Sequence, residues 1–140
     1  MGTILSSIAE TNFLPEGILC TRLLEGKDID LDNSIDNFEK CKILTGGKRY
    51  AAFTDARATV TITKEAMAFG SGKEANENLI AQAILVNSLA NRLLGNFMIK
   101  IHKPLSPTRL FSNEEEAMKW LREQMKEEVM KKMSFGEQAV

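Results

Sequence analysis

Asp55 and Arg57 follow a short apolar run, Tyr50 to Thr54. Asn87 and Ser88 follow a longer one, Leu79 to Val86. Arg92 and Asn96 come at four-residue steps after Ser88, which places them on one polar helix face. If both runs are parallel strands of one sheet, these six residues meet on the rim beyond its carboxyl ends. Open α/β sheets bind ligands there. The chemistry offered is capture of a small anionic or polar ligand, using the helix N-terminus at Ser88 and the nearby guanidinium groups. A structural alternative stands beside it: Asp55 pairs with an arginine, Ser88 only caps its helix, and Arg92 faces solvent.

The other reactive residue types do not assemble into known sites. Gly70-Ser71-Gly72-Lys73 lacks the opening glycine of a Walker loop, and Glu74 stands where Ser or Thr is required. His102 is the only histidine, and beside Lys100 and Lys103 it reads as a cation at a helix end. Cys20 and Cys41 have neither redox-motif nor zinc spacing, so they read as reduced thiols. Asp28, Asp30, Asp32 and Asp36 lack the glycine and terminal Glu of a calcium loop and suit a helix N-terminus. No nucleophile elbow is present. The expectation is a protein without enzymatic activity, catalytic residues, cofactor or metal.

These groups sit in a chain of 140 residues, 44% apolar and 26% charged, with formal net charge −1. That length suits a single domain, 1–140, with a core of its own. The near-neutral balance argues against nucleic-acid binding and against a polybasic membrane-surface protein. No run reaches the roughly 20 apolar residues of a spanning helix, so no integral membrane association is expected. The opening residues lack a signal-peptide pattern, although Gly2 and Ser6 fit a loose myristoylation pattern. A cytoplasmic location is expected.

The positioning elements follow from periodicity and punctuation. Thr3 to Thr11 and Gly17 to Leu24 read as strands of a hairpin turned at Pro15-Glu16-Gly17. Asp30 caps a helix whose face is Leu31, Ile35, Phe38 and Cys41, stopped by Gly46-Gly47. Tyr50 to Thr54 is a buried strand, and Thr63 caps a short helix from Lys64 to Phe69. Leu79 to Val86 is a central strand covered on both faces, with Ile84 and Val86 buried. Leu89, Leu93, Phe97 and Ile101 then repeat every four residues along a helix opened by Asn87-Ser88, with Leu94 and Met98 beside them. Thr108 to Phe111 is a short strand. Ser112 and Glu115 form a capping box for a last helix that carries Ala117, Trp120, Leu121 and Met125 inward. The predicted order is β-β-α-β-α-β-α-β-α, an α/β fold whose mixed sheet is mostly parallel.

From Tyr50 to Leu121 the chain resembles the SpoIIAA-like group of the bacterial STAS-like superfamily. The resemblance rests on the strand ending in Asp55, on Thr63-Lys64-Glu65-Ala66 opening a helix, and on the apolar strand ending at Val86. It continues through Asn87-Ser88 with Arg92 and Asn96-Phe97, then Lys103-Pro104, Pro107-Thr108-Arg109, Phe111, Ala117 and Trp120-Leu121. It implies a SpoIIAA/STAS-like fold and a regulatory, protein-interacting module. In anti-sigma antagonists of this group a partner kinase phosphorylates a serine at the start of the helix after the third strand. Aligned here, Thr63 takes the place of the preceding aspartate and Glu65 that of the serine, so the usual phosphoacceptor is missing. Thr61 and Thr63 are the substitute candidates for phosphorylation. The alternative expectation is a domain binding a small anionic or lipid-like ligand, since related folds bind apolar molecules under mobile helices.

The last helix outruns the sheet it covers. The overhang, about 126–140, keeps Val129, Met130 and Met133 apolar, with Phe135 beyond, among charged residues. It is either a frayed end or a contact for a second chain, so a homodimer or an unknown protein partner is expected.

Overall fold

The computed structural model describes residues 2–138; it describes no side chain for Ala90, Leu94 or 135–138. Six strands form one sheet: β1 (Thr3–Leu5), β2 (Ala9–Phe13), β3 (Ile18–Leu23), β5 (Tyr50–Asp55), β7 (Leu79–Leu85) and β8 (Thr108–Phe111), in the spatial order β1-β2-β3-β5-β7-β8. The two pairings among β1, β2 and β3 are antiparallel, and the remaining three are parallel. Two short segments, β4 (Asp28–Ile29) and β6 (Thr61–Ile62), pair in parallel as a separate ribbon. The helices are α1 (Leu31–Thr45), α2 (Lys64–Ser71), α3 (Lys73–Asn76), α4 (Leu89–His102) and α5 (Glu114–Gln138). This is the mixed, mostly parallel sheet with packed helices that the sequence predicts.

Two local expectations are corrected and one element is added. The first predicted strand divides in two because the chain turns at Ser6-Ser7, making the opening a three-stranded meander. Ser6 builds that turn: its hydroxyl accepts from the Ile8 and Ala9 amides and donates to Asn37 Oδ1 at 2.7 Å. The ribbon β4–β6 was not predicted, since two residues show no alternation. The cap of α5 is Asn113 rather than Ser112, with Asn113 Oδ1 accepting from the Glu116 amide at 3.0 Å.

Other caps follow the sequence. Asp30 accepts from the Asn33 amide at 2.8 Å, and the Asn33 side chain accepts in return from the Asp30 amide. Gly46 ends α1 with φ +61°, a left-handed value that glycine adopts without a Cβ penalty.

The two sheet faces differ. On one, Ala81, Ala83 and Leu85 of β7 pack with Phe53 against Ala117 and Leu121 of α5. The alanines let the helix approach closely, and this side is the packed core. On the other face lie Gln82 and Ile84 of β7, with Thr54 and Ala52 of β5. Here α1, α2 and α4 stand off the sheet.

This changes two sequence expectations. Val86, just past β7, is buried, but Ile84 is only half-buried because it faces open space rather than close-packed neighbours. The repeating residues of α4 also do not enter the core. Leu89 is 73% exposed, Leu93 and Phe97 60% each, and Ile101 55%. The helix instead turns Asn91, Gly95, Met98, Ile99 and His102 toward the sheet. On α1, Phe38 and Cys41 turn inward while Leu31 and Ile35 stay about one-third exposed, at 37% and 36%.

Candidate functional site

The space between the sheet and the helices is a cavity of about 820 Å³. Its floor includes Leu19, Thr21, Thr54, Gln82, Ile84 and Leu110. Alternation along the strands puts these residues on one face. Phe38 of α1 and Met67 and Phe69 of α2 form one wall, with the Phe38 and Phe69 rings edge to face at 5.5 Å. Beyond them Ile8, Ala9, Ile29 and Ala66 cluster and close the end next to the ribbon β4–β6. The roof is α4. It runs back antiparallel to β7 and β8, so Asn91 lies toward the carboxyl edge of the sheet and His102 toward the amino edge.

The helix α4 is seated on the sheet through one small residue. A Cβ on Gly95 would lie 2.8 Å from Leu110 Cδ1, closer than side chains tolerate. Glycine there lets the middle of the helix approach β8 without filling the cavity beside it.

The lining is mostly aliphatic and aromatic, with a few polar groups. Gln82 Nε2 donates to Thr54 Oγ1 at 3.1 Å, on the floor. Asn37 receives the Ser6 hydroxyl and donates to Cys41 Sγ at 3.8 Å. Burial pushes the Tyr50 hydroxyl up to about 12 and raises the Cys41 thiol above its ordinary value, so both stay protonated and neutral. The cavity carries no fixed negative charge from these groups. Among the described residues, no group of three or more His, Cys, Asp or Glu could hold a metal ion.

The rim residues singled out from sequence lie at or after the carboxyl ends of β5 and β7. Asp55 ends β5, and its carboxylate is taken up by Arg57: Nε donates to Oδ1 at 2.9 Å and Nη2 to Oδ2 at 2.8 Å. Those bonds, with one from the Arg57 amide, hold the Asp55 carboxyl below the ordinary carboxylate range. Ser88 caps α4, its hydroxyl accepting from the Asn91 amide at 3.1 Å. Asn87 and Asn96 are exposed and Arg92 is half-buried. Thr63 caps α2 by accepting from the Ala66 amide at 3.1 Å, and Thr61 donates to Asp28 Oδ1. His102 lies in the last turn of α4 as expected, but its side chain lines the cavity.

The sequence reading missed the cavity residues. Two signals were present: Gln82 interrupts an otherwise apolar strand, and Gly95 is the one glycine inside the helix that follows. Both mark the same face.

A mixed sheet of this order, with one long helix on one face and shorter helices on the other, defines a SpoIIAA-like fold. A crystal structure of an uncharacterised protein of the DUF3478 family from Shewanella loihica PV-4, described as having that fold, matches with a TM-score of 0.60 at 11% identity. The match covers 86% of this chain and 98% of that one, and at such identity the likeness is one of fold alone. The chain belongs to the family described as a domain of unknown function, DUF7793, whose model matches residues 13–125. No curated protein matches it.

Proposed function

We propose that this protein binds one amphipathic small molecule with an aliphatic body in the cavity beneath α4. The observation carrying the proposal is that cavity itself, about 820 Å³ on the side of the sheet away from α5. Its volume falls within the range of roughly 300–1,000 Å³ typical of small-molecule sites, which are likewise mostly apolar with a few placed polar groups. An aliphatic chain would cover Leu19, Ile84 and Leu110, while Asn91 or His102 would meet a polar end. This reading includes no catalytic step. It gives the rim a structural part: Asp55 and Arg57 brace the loop after β5, and Ser88 fixes the start of the roof helix.

The test is native mass spectrometry of the purified protein, before and after incubation with medium- and long-chain fatty acids and lysophospholipids. One adduct per chain is expected, with a rise in thermal stability that grows with ligand concentration by mass action. Absence of any adduct together with an unchanged melting temperature rejects the reading.

A second reading is the non-enzymatic interaction module implied by the SpoIIAA-like fold. It is favoured by the exposed apolar side chains on the outer face of α4, and the vesicle experiment below separates the two kinds of partner.

A further inference from the structure

The outer face of α4 combines two properties that rarely occur together on a free surface. Leu89, Leu93, Phe97 and Ile101 stand exposed in one row, and Leu105, 66% exposed, extends it beyond the helix. Exposed contiguous apolar surface of this kind marks a binding face. The charge pattern says what it binds. All 19 Asp and Glu residues lie outside the stretch 78–113, whereas Arg92 and Lys100 of α4 and Lys103 at its end lie inside it. Net charge −1 over the whole chain hides this segregation. Among the described residues, Arg92, Lys100 and Lys103 form no ion pair. Lys100 precedes Ile101 on the same side of the helix, where its aliphatic stem can lie along the apolar row while the ammonium reaches outward.

We infer that α4 docks flat on an anionic lipid bilayer. Apolar side chains enter the acyl boundary and cations meet the headgroups, as in interfacial amphipathic helices. A bilayer fits better than a second copy of this chain. The exposed apolar part of α5, around Val129, Met130 and Met133, is interspersed with Lys126, Lys131 and Lys132 and offers no net negative charge to α4. The docking stands independently of the cavity ligand. Where both hold, the roof of the cavity is the element in contact with lipid.

The experiment is co-sedimentation of the full chain with vesicles of phosphatidylcholine alone and of phosphatidylcholine with phosphatidylserine. Binding to the anionic vesicles is expected, weakening as salt rises. Leu93→Asp and Phe97→Asp should each lower partitioning on the order of tenfold, the loss expected from withdrawing one large apolar side chain. Lys100→Glu with Lys103→Glu should remove the preference for phosphatidylserine. Both apolar positions are solvent-facing, so circular dichroism should show the variants folded. No partitioning of the folded wild-type chain overturns the inference. So does equal partitioning of wild type and Phe97→Asp, or self-association of the wild type in solution that Phe97→Asp abolishes. A cavity-filling variant, Ala52→Phe with Ile84→Phe, separates the two proposals: it should lose uptake of a fluorescent fatty acid but keep vesicle binding.

Discussion

Gly95 sits so close over Leu110 that a Cβ on the glycine would come within 2.8 Å of the leucine Cδ1. The contact joins the middle of α4 to the edge strand β8, and Leu110 beneath it is buried. Glycine costs a helix interior about 1 kcal/mol relative to alanine, so its presence here trades helix propensity for a close approach. Gly95→Ala is therefore expected to leave the wild-type protein no more stable, because the displacement of the Leu110 side chain offsets the gain in helix propensity. In a Leu110→Ala background the same change should be neutral or stabilising. A double-mutant cycle by chemical denaturation measures the coupling, expected at about 1 kcal/mol. Additive effects would show that the two residues do not press on each other.

The two faces of the sheet should respond differently to truncation. Leu121 is fully buried in the packed core beneath α5, and Leu121→Ala should cost about 2–5 kcal/mol. Ile84 borders the cavity and leaves no new enclosed void when shortened, so Ile84→Ala should cost about 1 kcal/mol. Urea midpoints of the two variants give the comparison. An equal loss would mean that the cavity is packed shut in solution.

Acid stability should carry a contribution from Asp55. Its carboxyl is held below the ordinary 3.8 mainly by the side-chain hydrogen bonds from Arg57. A carboxyl lowered on folding contributes stability that is full above its unfolded pKa and is lost as pH falls through its folded pKa. Asp55→Asn should therefore be less stable than wild type near neutrality, with the difference shrinking below about pH 4. Thermal melting across that window checks it. A difference independent of pH would assign the effect to packing.

The last helix spans about 37 Å at 1.5 Å per residue, while β7, the longest strand, reaches only about 23 Å. Toward its end Glu128 is half-buried and ion-paired with Arg49. Beyond that pair, Val129, Met130 and Met133 are exposed; the Phe135 side chain and residues 139–140 lie outside the described residues. We expect a weak homodimer through this overhang, and deletion after Glu128 should yield a folded monomer. Sedimentation velocity at high concentration decides the matter. A full-length chain that remains monomeric would contradict the expectation.

Element order, helix caps and the parallel arrangement of the later strands could all be read from residues such as Asp30, Gly46, Thr63 and Ser88. Each acts locally, within three or four residues of itself. The cavity could not be read in that way. Periodicity shows that α4 has an apolar row at Leu89, Leu93, Phe97 and Ile101, but not which way the row faces. Met98 and Ile99 supply a second apolar side, and Gly95 lets that side turn inward. Asp55 and Ser88 could be grouped on one rim because Asp55 ends β5 and Ser88 follows the neighbouring β7. Their polar atoms proved to be engaged by Arg57 and Asn91, which lie two and three residues away.

The central claim is that an amphipathic molecule occupies the space under α4. Fluorescence titration with a dansyl-labelled fatty acid tests it most directly, using wild type and the Ala52→Phe, Ile84→Phe double variant, both of whose new rings would fill the cavity. Wild type should bind one probe per chain, displaced by unlabelled fatty acid. The double variant should bind at least about tenfold more weakly while unfolding at an unchanged or higher denaturant midpoint. Equal binding by both proteins, or none by the folded wild type, would contradict the account.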